Sequence, residues 1–129
     1  MNINLAGGIL KDNKGRILLI HRNTLKLKQW ELPGGKIEKN EKPNEAAIRE
    51  LKEELGIRVA IMNYLGNKEF TENGHVMNYY WYECIIVKGA PRVMENKFDM
   101  LKFWNISELA NIYEELSPNM KNLLPLLSD

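Results

Sequence analysis

The sequence predicts an α+β fold in which one amphipathic helix lies among about six strands. Apolar residues recur at spacings of three and four through residues 43–55, which is the pattern of a helix with one buried face. Several other stretches are rich in β-branched and aromatic residues and are bounded by turn residues, as is typical of strands. Because these elements do not alternate regularly as strand, helix and strand, they favour an α+β fold or a mixed-sheet sandwich.

The predicted elements before this helix are two strands and a glycine-rich loop. The strands cover residues 3–10 and 16–21, and the turn residues between them predict that the two strands pair as a hairpin. A basic segment, 22–28, is predicted as a loop, and the chain then reaches the paired glycines Gly34 and Gly35. Neighbouring glycines allow a backbone carbonyl or N–H group to approach a ligand closely.

Strands and short helices are also predicted after the central helix. The strands cover residues 57–70, 75–87 and 100–106. Asn73 and Gly74, between the first two of these strands, form a strong hairpin signal. Ser107 and Ser117 are predicted helix N-caps, for helices that run to residues 110 and 127.

The composition predicts one soluble globular domain covering residues 1–129. Of the residues, 44% are hydrophobic and 27% are charged, and 18 basic against 17 acidic side chains leave a net charge of +1. Such a balance gives no field that would attract a nucleic acid polymer or a membrane surface. The sequence has no apolar stretch of bilayer length, no signal-peptide pattern and one cysteine, Cys84, so we expect a cytoplasmic protein without an internal disulfide.

Three glutamates give the central helix an acidic face. Glu50, Glu53 and Glu54 stand at positions i, i+3 and i+4, which puts their carboxylates close together beside the apolar stripe. Like charges at this spacing repel, and acids near a helix C-terminus oppose the helix dipole. A hard divalent cation relieves that repulsion, and oxygen ligands favour Mg²⁺, with Mn²⁺ as a substitute, over zinc. The spacing therefore predicts a metal site that also takes substrate phosphates.

The acidic face belongs to a longer motif that begins at the glycine loop. Read from Gly35, the chain fits the pattern G-x5-E-x7-R-E-U-x-E-E-x-G-U, where U is a bulky aliphatic residue, and every fixed position is filled through Ile57. This motif resembles the Nudix box of the Nudix (MutT-type) hydrolases. The resemblance implies the Nudix fold, an α/β/α sandwich with a mixed β-sheet between helices, and the predicted order of elements agrees with it.

The resemblance also implies roles for the residues of the motif. The family's metal ligands match the Gly34 carbonyl and the carboxylates of Glu50, Glu53 and Glu54. In some members the position of Glu50 instead supplies the base that activates water. Arg49 is expected to orient the carboxylates through charge-assisted hydrogen bonds. Gly35 and Glu41 are expected to brace the loop.

Residues outside the motif are candidates for the rest of the site. By resemblance, Glu95, in the irregular segment after residue 91, either completes the metal site or acts as general base, with Asp99 as the alternative. Arg22 corresponds in position to an arginine that contacts phosphates in MutT-type members, and a forked guanidinium suits that task. Lys36 is placed to neutralise a phosphate. Asn119, near the start of the last predicted helix, resembles the asparagine with which some members that remove 8-oxoguanine nucleotides read the base.

These features predict a metal-dependent hydrolase of nucleoside diphosphates linked to another moiety, X. The leading substrate is a nucleoside triphosphate, oxidised forms included, which would be cleaved at a pyrophosphate bond to give a nucleoside monophosphate and pyrophosphate. ADP-ribose, nucleotide sugars and dinucleoside polyphosphates are alternatives, although residues 73–75 lack the proline and the tyrosine that mark the ADP-ribose and dinucleoside polyphosphate enzymes of the family.

The alternative from another class is a regulatory module that binds nucleotides without catalysis. Members of that kind typically lose some of the carboxylates, whereas Glu50, Glu53 and Glu54 are all present here. The intact set favours an enzyme. The expected partner is a small nucleotide, with no nucleic acid polymer and no membrane, and the sequence allows a monomer or a homodimer.

Overall fold

A computed structural model of the chain describes residues 2–127, which form seven strands in two sheets, three α-helices and two single 3₁₀ turns. The strands are β1 (Asn2–Leu10), β2 (Ile17–Asn23), β3 (Lys28–Glu31), β4 (Gly34–Lys36), β5 (Arg58–Glu72), β6 (His75–Lys88) and β7 (Phe98–Trp104). The helices are α1 (Pro43–Leu55), α2 (Ile106–Leu109) and α3 (Pro118–Leu123), and the 3₁₀ turns cover Tyr113–Glu115 and Leu124–Leu126. No helix within residues 2–127 is both long and apolar enough to cross a membrane.

The strands form one mixed sheet and one antiparallel sheet. The four-stranded sheet has the order β4-β1-β6-β5, with β1 parallel to β6 and the other pairs antiparallel. The three-stranded sheet has the order β3-β2-β7 and is antiparallel throughout. Asn73 and Gly74 join β5 to β6 with φ angles of 52° and 79°. Positive φ at both central residues is what a type I′ hairpin turn requires, so the predicted hairpin is confirmed.

Two apolar cores lie on opposite faces of these sheets. Strand β2 shows the division, because Leu18 and Ile20 belong to the core that α1 covers, whereas Ile17 and Leu19 belong to the core that α2 and α3 cover. The helical contributions are Ala46, Ala47, Leu51 and Leu55 to the first core and Leu109, Met120 and Leu123 to the second. Helices therefore cover both faces, which confirms the α+β class and the α/β/α layering.

The predicted hairpin between the first two strands is wrong. Both edges of β1 are already paired, because β6 runs along all of Asn2–Leu10 and β4 takes the other edge at Leu5, Ala6 and Gly7. Only an isolated bridge between Lys11 and Ile17 links this region to β2, which joins the other sheet. The turn residues identify the change of direction correctly, but the partner of each strand is set by tertiary packing.

Other boundaries also differ from the sequence prediction. Arg22 lies on β2 and not in a loop, because β2 continues to Asn23 and pairs with β3 as far as Lys28. The glycine loop itself forms β4, which raises the strand count from six to seven within residues 2–127. The helix α2 is capped at Asn105 instead of Ser107. The backbone N–H of Asn105 donates to Glu108 Oε1 at 2.9 Å.

The C-terminal helix is capped as predicted but ends earlier. The hydroxyl of Ser117 accepts a hydrogen bond from the Met120 N–H at 3.2 Å, and Pro118 takes the first helical position. Helix α3 ends at Leu123 and a 3₁₀ turn containing Pro125 follows, because proline cannot donate the next helical hydrogen bond.

Candidate active site

Helix α1 has the ends that its sequence predicts. Pro43 takes the first helical position, where a missing N–H costs nothing, and the Lys42 N–H before it donates to Glu45 Oε1 at 2.9 Å. Gly56 adopts a left-handed conformation, φ 68°, and its N–H donates to the Lys52 carbonyl at 3.0 Å. These two ends fix which residues of the helix face the glycine strand β4.

Arg49 links four parts of the motif through one guanidinium group. Its Nε and Nη2 donate to the two oxygens of Glu41, at 2.8 and 3.0 Å, and Nη2 also donates to the Lys36 carbonyl at 2.9 Å. Its Nη1 donates to Glu50 Oε1 at 3.1 Å and to Glu53 Oε2 at 3.0 Å. The Arg49 hydrogen bond holds the pKa of the Glu41 carboxyl below its usual value. Arg49 therefore orients two carboxylates of α1 while Glu41 ties it to the loop.

Glu54 is the most deeply buried carboxylate of the motif. Only 5% of the residue is exposed, and its Oε1 accepts a hydrogen bond from the Gly34 N–H at 2.8 Å. Burial raises the pKa of its carboxyl to about 9, and the charges of Glu50 and Glu95 act in the same direction. The Gly34 hydrogen bond and Lys97 oppose the shift without cancelling it, so burial favours the neutral form of this carboxyl.

The two glycines allow α1 and the neighbouring strands to approach one another closely. A Cβ atom on Gly35 would lie 2.6 and 2.7 Å from the carboxylate oxygens of Glu50. A Cβ atom on Gly34 would overlap the Ala6 carbonyl oxygen and the Tyr79 hydroxyl. Glycine therefore suits both positions. A side chain at residue 35 would occupy the space of the Glu50 carboxylate, and a side chain at residue 34 would occupy that of the Tyr79 hydroxyl.

The segment carrying Glu95 is attached to the end of α1. The Arg92 and Met94 N–H groups donate to the carbonyls of Leu55 and Glu54, at 3.0 and 3.2 Å. Although 40% of the Glu95 side chain is exposed, its Oε1 is buried and accepts no hydrogen bond within residues 2–127. Lys97 Nζ lies 3.9 Å from that oxygen, which is an ion pair but too long for a hydrogen bond.

A cavity of about 440 Å³ opens between the carboxylates of Glu50 and Glu54 and the tip of the β5–β6 hairpin. Its acidic wall comes from β4 and α1 and consists of Gly34, Gly35, Lys36, Glu50 and Glu54. Its distal wall comes from the tip of the β5–β6 hairpin and the start of α3 and consists of Phe70, Glu72, Met77, Pro118 and Asn119. Side chains of β2 and β3, Arg22, Gln29 and Glu31, line the space between the two walls. A cavity of this size suits a nucleotide-sized ligand.

Of the other residues predicted for the site, Arg22 and Lys36 line the cavity and Asp99 does not. Arg22 lines the cavity, but Glu31 holds it through both carboxylate oxygens, and the guanidinium lies 5.1 Å from the ring centre of Phe98. Lys36 lines the acidic wall. Asp99 accepts one hydrogen bond from the Asn23 amide and pairs with His21 Nδ1 at 2.8 Å. It is absent from the cavity lining formed by residues 2–127.

Asn119 has a fixed orientation in the distal wall. Only 8% of the residue is exposed, and its Oδ1 accepts a hydrogen bond from Trp81 Nε1 at 2.9 Å. The indole nitrogen can only donate, so the amide oxygen must face Trp81 and the amide NH₂ group is the part available to a ligand in the cavity.

Several cavity residues were not found from the sequence. Glu31, Gln29, Lys97 and Glu72 reach the cavity from β3, from the segment before β7 and from the end of β5. They lie on separate elements that come together only in the folded chain. The alternation of Phe70 and Glu72 on β5 is the single signal that could have put Glu72 on the same side as a wall residue.

The carboxylates fit a hard divalent cation by their chemistry. The carboxyl pKa values of Glu50 and Glu54 are both raised. Burial is the largest cause of each shift, and the charge of Glu95 adds to it. Glu95 Oε1 adds a buried oxygen without a hydrogen bond within residues 2–127. Glu53 differs, because Arg49 holds it and 51% of its side chain is exposed. Within residues 2–127, no three acidic, histidine or cysteine side chains are already gathered as a ligand cluster.

This fold and this motif define a known class. Residues 1–127 match the family described as the NUDIX domain, and the chain belongs to the Nudix family. Over 99% of both chains it superposes on the MutT NUDIX hydrolase from Burkholderia pseudomallei, with a TM-score of 0.87 and 27% sequence identity.

Three relatives show which members the chain is similar to. It is 57% identical over 100 residues to the Bacillus subtilis (strain 168) protein YtkD, covering 75% of this chain. It is 42% identical over 60 residues to an 8-oxo-dGTP diphosphatase of Proteus vulgaris, covering 44% of this chain. It is 34% identical over 117 residues to an ADP-ribose pyrophosphatase of Methanocaldococcus jannaschii, covering 85% of this chain. The chain spans 63%, 53% and 67% of the lengths of these relatives, respectively.

Proposed function

We propose that the chain is a metal-dependent pyrophosphohydrolase acting on nucleoside triphosphates, oxidised forms included. The observation that carries this proposal is the acidic wall, where the buried carboxylate of Glu54 and the partly buried carboxylate of Glu50 lie against the glycine strand at one side of a cavity of about 440 Å³. Membership of the Nudix family supports the reaction class. The products would be a nucleoside monophosphate and pyrophosphate.

The acidic wall and Glu95 would hold the metal. Its ligands are proposed to be the Gly34 carbonyl, Glu50, Glu53, Glu54 and Glu95, with Mg²⁺ as the native ion and Mn²⁺ as a substitute. Oxygen donors of this kind suit a hard cation, which when bound neutralises phosphate charge and lowers the pKa of a water. Arg49, with Glu41 behind it, positions the carboxylates of Glu50 and Glu53, and Gly35 leaves room for Glu50.

The chain's own groups account for the proton and the developing charge. Water attacks phosphorus in line, a new P–O bond forms, the bond to the pyrophosphate leaving group breaks, and the water proton passes to a carboxylate. Glu50 and Glu95 are the two candidates for that base, and the charges of both, after burial, also raise the pKa of the Glu54 carboxyl. Arg22, Lys36 and Lys97 supply positive charge along the cavity for the phosphates.

The distal wall is proposed to hold the nucleobase. Asn119 presents amide N–H donors to the cavity, and a base carbonyl is a suitable acceptor for them. The likeness to an 8-oxo-dGTP diphosphatase supports an oxidised guanine nucleotide among the substrates. The likeness to an ADP-ribose pyrophosphatase, over 85% of this chain, keeps ADP-ribose as the second candidate.

A substrate panel tests the proposal. Product release would be measured from nucleoside triphosphates, 8-oxo-dGTP, ADP-ribose, nucleotide sugars and dinucleoside polyphosphates, with Mg²⁺ or Mn²⁺ and with EDTA as control. We expect metal-dependent hydrolysis that peaks on triphosphates. We expect Glu53→Gln to abolish turnover with the fold intact, and a variant near the wild-type rate would overturn the assignment of the ligands. Nucleotide binding without hydrolysis of any substrate would instead support a regulatory module.

We further propose that residues 1–129 act as one domain in the cytoplasm, as a monomer or a homodimer, on small nucleotides and on neither nucleic acid polymers nor membranes. The balanced charge of 18 basic and 17 acidic residues supports the choice of small substrates. Gel filtration with light scattering would decide the oligomeric state.

A further inference from the structure

Two glutamates of the cavity lie outside the acidic wall and differ in their partners. Glu31 is satisfied, because Arg22 holds both of its oxygens and Gln29 Nε2 donates to Oε2 at 2.7 Å. Glu72, at the end of β5, also lines the cavity and is half-buried. Burial and the charge of Glu31 raise the pKa of its carboxyl, Arg22 opposes the shift, and no hydrogen bond within residues 2–127 contributes. Glu72 is therefore a carboxylate with unused acceptor capacity.

Glu72 is also separate from the proposed metal ligands. The acidic wall comes from β4 and α1, whereas Glu72 is the last residue of β5, at the tip of the hairpin. Arg22, on β2, also lines the cavity, and its guanidinium is held by Glu31. Glu72 therefore belongs to the distal wall and not to the acidic wall that is proposed to take the phosphates.

The neighbours of Glu72 suit a flat aromatic ligand. Phe70 is two residues earlier on the same face of β5 and Met77 pairs with it across the hairpin, and both line the cavity. Aromatic and thioether side chains form a stacking surface for a base. Asn119 offers N–H donors in the same wall. The distal wall therefore combines an apolar surface, a donor and a carboxylate acceptor.

We propose that Glu72 is a specificity-determining residue that accepts hydrogen bonds from a base with two adjacent N–H donors, as on the N1–H and 2-amino edge of guanine. The two oxygens of a carboxylate match two parallel donors. Adenine and cytosine offer one amino donor beside an acceptor nitrogen, and an acceptor facing a carboxylate is repelled. This inference rests on the proposed function in that it takes the cavity as a nucleotide site.

Binding of monophosphates tests the proposal without requiring turnover. Isothermal titration would compare dGMP, dIMP and dAMP, at about pH 8, which lies well above the usual pKa of a glutamate, for wild type, Glu72→Gln and Glu69→Gln. Inosine lacks only the 2-amino group of guanine. Glu69 is the matched control, because it lies on the same strand with its side chain exposed and takes the same change of charge.

The expected result is a loss of base discrimination in one variant only. Wild type and Glu69→Gln should bind dGMP about tenfold more tightly than dIMP, because one hydrogen bond to a charged group is lost in dIMP. Glu72→Gln should bind dGMP about tenfold more weakly than wild type does, with the dGMP to dIMP ratio near one, because its amide NH₂ opposes a donor.

Three results would overturn the inference. An unchanged dGMP to dIMP ratio in Glu72→Gln would show that this carboxylate does not read the 2-amino group. Equal weakening of dGMP, dIMP and dAMP would indicate a contact with the sugar. An equal effect of Glu69→Gln would indicate a general charge effect. Failure of the proposed hydrolysis leaves this test intact, since monophosphates have no pyrophosphate bond to cleave.

Discussion

The two walls of the cavity are built in different ways. The acidic wall comes from one continuous segment, in which Arg49 makes five hydrogen bonds to the side chains of Glu41, Glu50 and Glu53. The distal wall joins the hairpin tip to the start of α3, two elements far apart in sequence, and Asn119 is held there by its contact with Trp81. Changes in the acidic wall should therefore act on the chemical step, whereas changes in the distal wall should act on nucleotide affinity.

Glu54→Gln should have the largest effect. Glutamine can still accept the Gly34 hydrogen bond, so the fold should persist, but the carboxylate proposed as a metal ligand is lost. We expect kcat to fall by about 10³-fold or more, measured at saturating metal and nucleotide with a thermal melt as the folding check. Glu45→Gln, in the first turn of the same helix, is the control and should keep the wild-type rate. A Glu54→Gln enzyme retaining most of its kcat would remove the distinction between the walls.

Gly35→Ala should have the next largest effect. The added methyl group would lie 2.6 and 2.7 Å from the Glu50 oxygens and must displace that carboxylate. A displacement of about 1 Å at a catalytic group can cost about 10²-fold, so we expect kcat to fall by that order. Gly15→Ala is the control: its φ is 76° and nothing lies within 4 Å, so it should lose about 1 kcal/mol of unfolding free energy at unchanged kcat.

The metal-free protein should lose stability as pH rises. Glu54 keeps its proton to about pH 9 in the folded state, whereas its usual pKa of 4.5 applies when unfolded. Between these values the folded state binds more protons, so the free energy of unfolding should fall by up to about 1.4 kcal/mol per pH unit. Urea unfolding in EDTA from about pH 5 to about pH 9 measures the slope. Glu54→Gln should flatten it, and an equally steep slope in that variant would contradict the assignment.

Asn119→Ala should have the smallest effect on the reaction. Loss of its amide should raise KM about tenfold at unchanged kcat, because the proposed contact is to the base. The variant also leaves the buried Trp81 Nε1 without its acceptor, which should cost about 1–3 kcal/mol of unfolding free energy. Asn122→Ala, which removes a hydrogen bond to the Pro118 carbonyl on the same helix, is the control and should leave KM unchanged. A fall in kcat for Asn119→Ala would place this residue with the acidic wall.

The difference between the two walls, one built from a single segment and one from distant segments, also explains which features the sequence predicts. The role of Arg49 in orienting carboxylates is implied by the resemblance to the Nudix box, and its contacts with Glu41, Glu50 and Glu53 agree with that role. The bounds of α1 and its left-handed Gly56 follow from spacing along one segment, and the structure has both. Helical geometry converts sequence distance directly into spatial distance there. The burial of Glu54, in contrast with the exposure of Glu53, depends on where β4 lies and was not predictable from the spacing.

Strand pairing between distant parts of the chain is harder to predict from the sequence. The predicted β1–β2 hairpin is wrong because β6, more than sixty positions later in the chain, takes the edge of β1. The attachment of residues 92–94 to the last carbonyls of α1, which sets the place of Glu95, likewise depends on the return of a long hairpin. Glu31 carries no local signal, and Glu72 carries only its alternation with Phe70 on β5, which does not show that the two glutamates line one cavity.

The β5–β6 hairpin reaches from the end of α1, where Arg58 pairs with Lys88, to the distal wall. Its turn residues Asn73 and Gly74 are exposed. Insertions or replacements at that turn would remodel the distal wall while leaving the pairing at the root in register. Descendants of such a gene could thus change which ligands the cavity admits through small changes in one surface turn, while inheriting the acidic wall unaltered.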